Sequence, residues 1–96
     1  MTHPYRARPA RNPVIVFSEE FNGWGVLLDP GSGAALELNP VGVVVWTLMD
    51  GRRSLDEIVA GVRDRCEGVP DGFAEDVSGF VGTLVKRGLV QWGSKE

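Results

Sequence analysis

The period of apolar positions changes part-way along this chain, and the change marks its architecture. In the first part the apolar residues come in short runs. Val14 to Phe17 is β-branched and aromatic, as is Trp24 to Leu28, and Ala34 to Leu38 alternates, with Ala34, Leu36 and Leu38 on one side and Ala35 and Glu37 on the other. Period-two alternation predicts strands with one buried face and one wet face. Between the runs lie a turn-like insert, Ser18 to Gly23, and Asp29-Pro30-Gly31-Ser32-Gly33, whose proline fixes φ and whose glycines permit positive φ. Three strands joined by short turns predict an antiparallel β-meander.

At Asn39-Pro40 the pattern switches to a helical period. Asn is a favoured N-cap and Pro a favoured first helical residue, so the third strand is predicted to turn directly into a helix from Val41 to Asp50. Val43-Val44-Val45 suits a strand by propensity, but the Val41, Val44, Val45, Leu48 spacing and the Asn-Pro start favour the helix, with Gly51 as its stop. The second helix opens on a capping box, Ser54 with Glu57, carries the stripe Leu55, Ile58, Val59 and Val62, and runs to about Cys66. Glu67-Gly68-Val69-Pro70 is the connector. The third helix is predicted from near Asp71 to just before Gly88, with Phe73, Val77, Phe80, Val81 and Leu84 on one broad face and Val85 at its flank. Asp71, Glu75 and Asp76 in its first half and Lys86 and Arg87 in its last turn match the helix dipole. Leu89 to Trp92 forms a short closing strand or extended tail. The predicted fold is α+β, in the order βββααα, as one domain over residues 14–92.

The flanks differ in composition. Residues 1–13 hold three prolines together with Arg6, Arg8 and Arg11 and no acid. Such a segment has too little apolar surface to offset its ordering entropy, which predicts a mobile basic arm, either solvated or touching an acidic partner. Residues 93–96 form a C-terminal tail.

With 13 acidic and 10 basic residues the net charge is -3, which disfavours general affinity for nucleic acid. The longest apolar run, Val41 to Trp46, falls far short of the ~20 residues that span a bilayer. No N-terminal apolar segment suggests secretion, and the lone Cys66 allows no internal disulfide, so a reducing cytoplasm is expected. Chemistry is also sparse. His3 is the one histidine and stands in the arm, no Cys/His cluster has metal spacing, and Gly23/Gly25 and Gly31/Gly33 lack the third glycine of a dinucleotide loop. Glu19-Glu20, Asp56-Glu57 and Glu75-Asp76 read as solvated or capping carboxylates. No catalytic residue, metal or cofactor is expected, and the chain is read as a non-enzyme.

Three pieces carry a resemblance: Leu38-Asn39-Pro40; Asp50-Gly51 followed by Ser54-Leu55-Asp56-Glu57-Ile58; and Asp76-Val77 followed by Phe80-Val81 and Gly88-Leu89. In this order and spacing the chain, over roughly Pro13 to Val90, resembles the PqqD family, peptide chaperones of pyrroloquinoline quinone (PQQ) biosynthesis and type members of the precursor-peptide recognition elements. The resemblance implies a winged helix-turn-helix-like fold of three strands then three helices. It also implies that the leader of a ribosomally made precursor peptide adds as an antiparallel strand to the third strand and lies beside the third helix. The complex is then presented to a modifying enzyme, often a radical S-adenosylmethionine (SAM) protein. Carried over, the edge is Ala34, Ala35, Leu36, Glu37 and Leu38, and the groove wall is Phe73, Asp76, Val77, Phe80 and Leu84. The basic arm and the Ser18 to Gly23 insert depart from the family pattern.

An edge strand offers unpaired backbone groups that an extended peptide can satisfy. About five such bonds at ~1 kcal/mol and three or four apolar side chains at ~2 kcal/mol, less ~4 kcal/mol for association, predict roughly micromolar affinity. Two other readings compete. A winged-helix DNA-binding domain requires its third helix in the major groove, where Asp71, Glu75 and Asp76 are repelled by phosphates. An interaction module without cargo would pair its edge with a second copy, so both monomer and homodimer are open.

Overall fold

The computed structural model describes residues 8–66, 68, 70 and 72–93. Five strands and three helices follow in the order β1 (Arg8–Arg11), β2 (Val16–Glu19), β3 (Gly25–Leu28), β4 (Ala35–Leu38), α1 (Pro40–Leu48), α2 (Leu55–Arg65), α3 (Phe73–Lys86) and β5 (Val90–Gly93), with a 3-10 turn at Phe21–Gly23. The predicted meander is present as an antiparallel sheet in the order β2-β3-β4. Its boundaries move slightly. Ser18 and Glu19 belong to β2 rather than to the following insert, and Ala34, expected on the buried side, is exposed just ahead of β4.

Register sets the inward face. Phe17 pairs with Leu27 and Leu27 with Leu36, while Gly25 pairs with Leu38, so these residues share the side facing the helices. Leu27 and Leu38 are buried there, and Leu36 and Phe17 are half-buried against them. Gly25 is glycine for a packing reason: a Cβ at that position would stand 2.5 Å from the Phe17 ring and 3.0 Å from the Val43 side chain. Sheet and α1 approach too closely there for a side chain.

The core joins this face to all three helices. It contains Val45, Trp46, Leu48 and Met49 from α1 and its end, Leu55, Ile58, Val59 and Val62 from α2, and Phe73, Val77, Val81 and Leu84 from α3. The helix starts match the residues that predicted them. Asn39 accepts from the Gly42 N–H at 2.8 Å with Pro40 at the first position, and Ser54 and Glu57 make both halves of the capping box. α3 begins at Phe73 after Gly72, and the expected start, Asp71, lies outside the described residues. Its end is closed by Gly88 at φ 76°, with the Leu89 N–H donating to the Leu84 carbonyl at 2.9 Å. Among the described residues no helix is long and apolar enough to cross a membrane.

Two expectations are corrected. The first concerns the arm. Residues 1–7 lie outside the described residues, but residues 8–11 form β1, antiparallel to β5 in the register Arg8↔Gly93 to Arg11↔Val90. Pro9 is fully buried. The second concerns the end of α1. It stops at Leu48, two residues short of Asp50, and Gly51 is not its cap. The carbonyls of Trp46 and Thr47 instead accept from the Arg11 guanidinium at 3.1 and 2.8 Å, and the Met49 carbonyl from the Arg11 N–H at 3.2 Å. A cation 35 residues upstream thus caps the negative end of the helix dipole. Gly51, at φ 82°, sits in the following turn and donates to the Pro9 carbonyl at 3.0 Å. The arginines that suggested a solvated arm include the one that holds it down.

Asp50 organises that turn. Its carboxylate accepts from the Arg52 and Arg53 N–H groups at 2.9 and 3.2 Å and from the Arg53 guanidinium at 2.7 Å. Partial burial alone would raise its pKa, but the two backbone donors and the Arg53 charge outweigh it and hold the carboxyl below 3.8. Because the folded pKa is the lower one, this stabilisation is present above pH ~4 and is lost as pH falls through the folded pKa. Asp50→Asn is therefore expected to lower the melting temperature at pH 7 and to match the parent protein once the pH is below the folded pKa. Thermal unfolding from pH 7 to 2 measures it, and a deficit that persists unchanged at pH 2 contradicts the electrostatic account.

Candidate functional site

β4 is hydrogen-bonded to β3 on one side and, among the described residues, is an edge of the sheet on the other. Antiparallel pairs alternate between those that exchange backbone bonds and those that do not. The Glu20 N–H donates to the Trp24 carbonyl and the Asp29 N–H to the Ala34 carbonyl, at 2.6 and 2.9 Å, which fixes the phase on both sides of β3. Continued through the register, Leu36 and Leu38 turn their N–H and C=O groups towards β3. Ala35 and Glu37 therefore point theirs outward, to the open edge.

Beside that edge lie two cavities. One, of about 420 Å³, is lined by Glu37, Leu38, Asn39, Val41, Gly42 and Val45 from the β4-α1 junction and by Pro70, Phe73, Asp76, Val77 and Phe80 from the start of α3. Its wall is mostly apolar, and its two charged residues, Glu37 and Asp76, are both acidic. The other, of about 230 Å³, is lined by Ala34, Ala35 and Leu36 together with Leu27, Asp29, Ser32, Arg87 and Leu89. Asp29 is engaged in its own turn, accepting from the Gly31 N–H and the Ser32 hydroxyl. β4 thus runs from the C-terminal end of α3 towards its N-terminal end, with a cavity at each end of the strand.

The residues proposed from sequence divide three ways. Glu37, Leu38, Phe73, Asp76, Val77 and Phe80 meet around the larger cavity. Ala34, Ala35 and Leu36 line the smaller one. Leu84 is completely buried in the core and lines neither cavity. Phe80 differs from it in being half-buried, with ring surface left for a ligand. Sequence reasoning missed Gly42 and Val45 in the larger cavity, and Arg87, which it had assigned only to the helix dipole. Gly42 packs closely at the start of α1, where a Cβ would stand 3.3 Å from the Asn39 Oδ1 cap and 3.4 Å from the Leu38 Cβ.

The profile of "Coenzyme PQQ synthesis protein D (PqqD)" matches residues 25–90, a span that contains β3, β4, all three helices and both cavities. The chain belongs to the PqqD family. β1 and β2 precede the matched span. No curated protein is significantly similar to this PqqD-family chain in sequence. Among solved structures, TbiB1 in complex with the TbiA(beta) leader peptide superposes with a TM-score of 0.70 at 21% identity, over 85% of this chain and 94% of that one. At that identity the likeness establishes the shared fold.

Proposed function

We propose that this PqqD-family protein is a non-catalytic chaperone that binds the leader of a ribosomally made precursor peptide, by strand addition to β4, and presents it to a modifying enzyme. The observation that carries this reading is the open edge at Ala35 and Glu37 lying against an apolar cavity under α3. The TbiB1 structure, which shares the fold, holds a leader peptide and supports it. The enzyme served is a radical SAM protein in a PQQ or related peptide-derived pathway, and the compartment is the cytoplasm.

The geometry sets the strength. Two residues offer two N–H and two C=O groups, so about four backbone bonds at ~1 kcal/mol and three apolar side chains at ~2 kcal/mol give ~10 kcal/mol gross. After ~4 kcal/mol for association, affinity falls in the tens of micromolar, weaker than the five-residue edge predicted and suited to a carrier that releases its cargo.

The test is an amide-resolved NMR titration with leader segments of candidate precursor peptides. The expected result is perturbation of Ala35, Glu37 and the α3 residues around Phe80. If no leader moves them and a second copy of the protein protects the edge instead, the chain is an interaction module.

A further inference from the structure

The two cavities and the phase of β4 together specify a pattern in the cargo, which rests on the strand-addition reading above. A strand added antiparallel to β4 exchanges bonds with Ala35 and Glu37, and its residues face, from its N- to its C-terminus, Leu38, Glu37, Leu36 and Ala35 in turn. Side chains opposite Leu38 and Leu36 fall on the helix-facing side of the sheet. The first enters the cavity of about 420 Å³ that Leu38 lines with Phe73, Val77 and Phe80. The second enters the cavity of about 230 Å³ that Leu36 lines with Leu89. Between them, the residue opposite Glu37 points to the outer face and stands directly across from its exposed carboxylate.

Charge runs in the same direction. Both charged residues of the large cavity, Glu37 and Asp76, are acids, and neither has an ion-pair partner among the described residues, where Arg53 with Asp50 is the sole pair. Arg87 stands at the other end. A cation is therefore favoured near Leu38 and disfavoured beyond Leu36.

We infer that the cargo is a peptide carrying a large apolar residue, a cation and a small apolar residue in consecutive N-to-C order, read by the large cavity, by the exposed Glu37 carboxylate and by the small cavity in turn. Reversing the order puts the large side chain into the small cavity, and replacing the cation by an acid sets like charges across the added pair.

The experiment compares three blocked nonapeptides with Ser/Thr flanks and the cores Trp-Lys-Val, Val-Lys-Trp and Trp-Glu-Val, using fluorescence polarisation for affinity and amide shifts for location. The expected result is tightest binding of Trp-Lys-Val, with Val-Lys-Trp about tenfold and Trp-Glu-Val about fivefold weaker. Glu37→Lys, on an exposed side chain, is expected to reverse the preference between Lys and Glu. Equal affinities of the three, with Ala35 and Glu37 shifted by each, overturn the pattern and leave strand addition standing. If none of the three shifts those two amides, while encoded leader segments do, the pattern alone falls; if leaders fail as well, both readings fall.

Discussion

Glu37→Pro is expected to leave the domain stable and to weaken leader binding by roughly thirty-fold, whereas Leu36→Pro strongly destabilises it. The two residues are neighbours of the same strand type, and the difference lies in where their N–H groups point. The Glu37 N–H faces the open edge, so proline there removes no bond of the β3-β4 ladder, the one situation in which a strand accepts it. It does remove a donor to the added strand and places a ring where the peptide backbone must approach, together about 2 kcal/mol. The Leu36 N–H belongs to the ladder. Its loss orphans a carbonyl of β3 and removes a half-buried side chain from the inner face, about 3 kcal/mol, a large share of the stability of so small a domain. Circular dichroism melts paired with leader titrations check both. If Glu37→Pro binds as well as the parent protein, the peptide does not add to this edge.

Deleting residues 1–12 has the other large expected effect, on stability rather than binding. β1 lies between two partners. It pairs with β5, and on its other side it meets the α1-α2 turn through the Ala10↔Asp50 bridge and the Gly51 to Pro9 bond. Beyond β1, the Asn12 N–H and side-chain amide donate to the Leu89 and Gly88 carbonyls at 3.0 and 2.9 Å, at the end of α3. Removing the segment loses these bonds, the Arg11 cap on α1 and the fully buried Pro9. Six hydrogen bonds of Pro9, Arg11 and Asn12 at ~0.5 to 1 kcal/mol and one buried ring at ~1.5 kcal/mol make roughly 6 kcal/mol before the β1-β5 ladder is added. Urea unfolding measures it. Arg11→Ala alone is expected to cost about 1 to 2 kcal/mol, and no change in either variant contradicts a structural role for the segment.

The α1 cap shows how legibility divides. Starts of helices were readable because their signals are local: Asn39 with Pro40, and Ser54 with Glu57, satisfy donors within three residues of themselves. The end of α1 was not, because its acceptors are satisfied by Arg11, whose place beside Trp46 and Thr47 follows from the pairing of β1 with β5. Composition alone made that arginine part of a solvated arm. The same division runs through the candidate site. Phe73, Val77 and Phe80 were legible as one helical face by their spacing, and Ala34 to Leu38 as a strand by alternation. That Phe80 keeps surface for a ligand while Leu84, on the same face, has none depends on what packs over each of them, which spacing along the helix does not show.

By itself, the sequence determined the order of elements from β2 to α3, the apolar stripes of the helices, and the capped starts of α1 and α2, since these follow from periods and contacts a few residues long. The tertiary structure decided that β1 closes the domain against β5, that Ala35 and Glu37 rather than their neighbours offer the free backbone groups, and that a large acidic-lipped cavity and a small one flank β4 in a fixed order. Those properties depend on which segments meet across the fold and in what phase. Pairings over tens of residues are set by packing the whole core at once, and no local run of the chain encodes them.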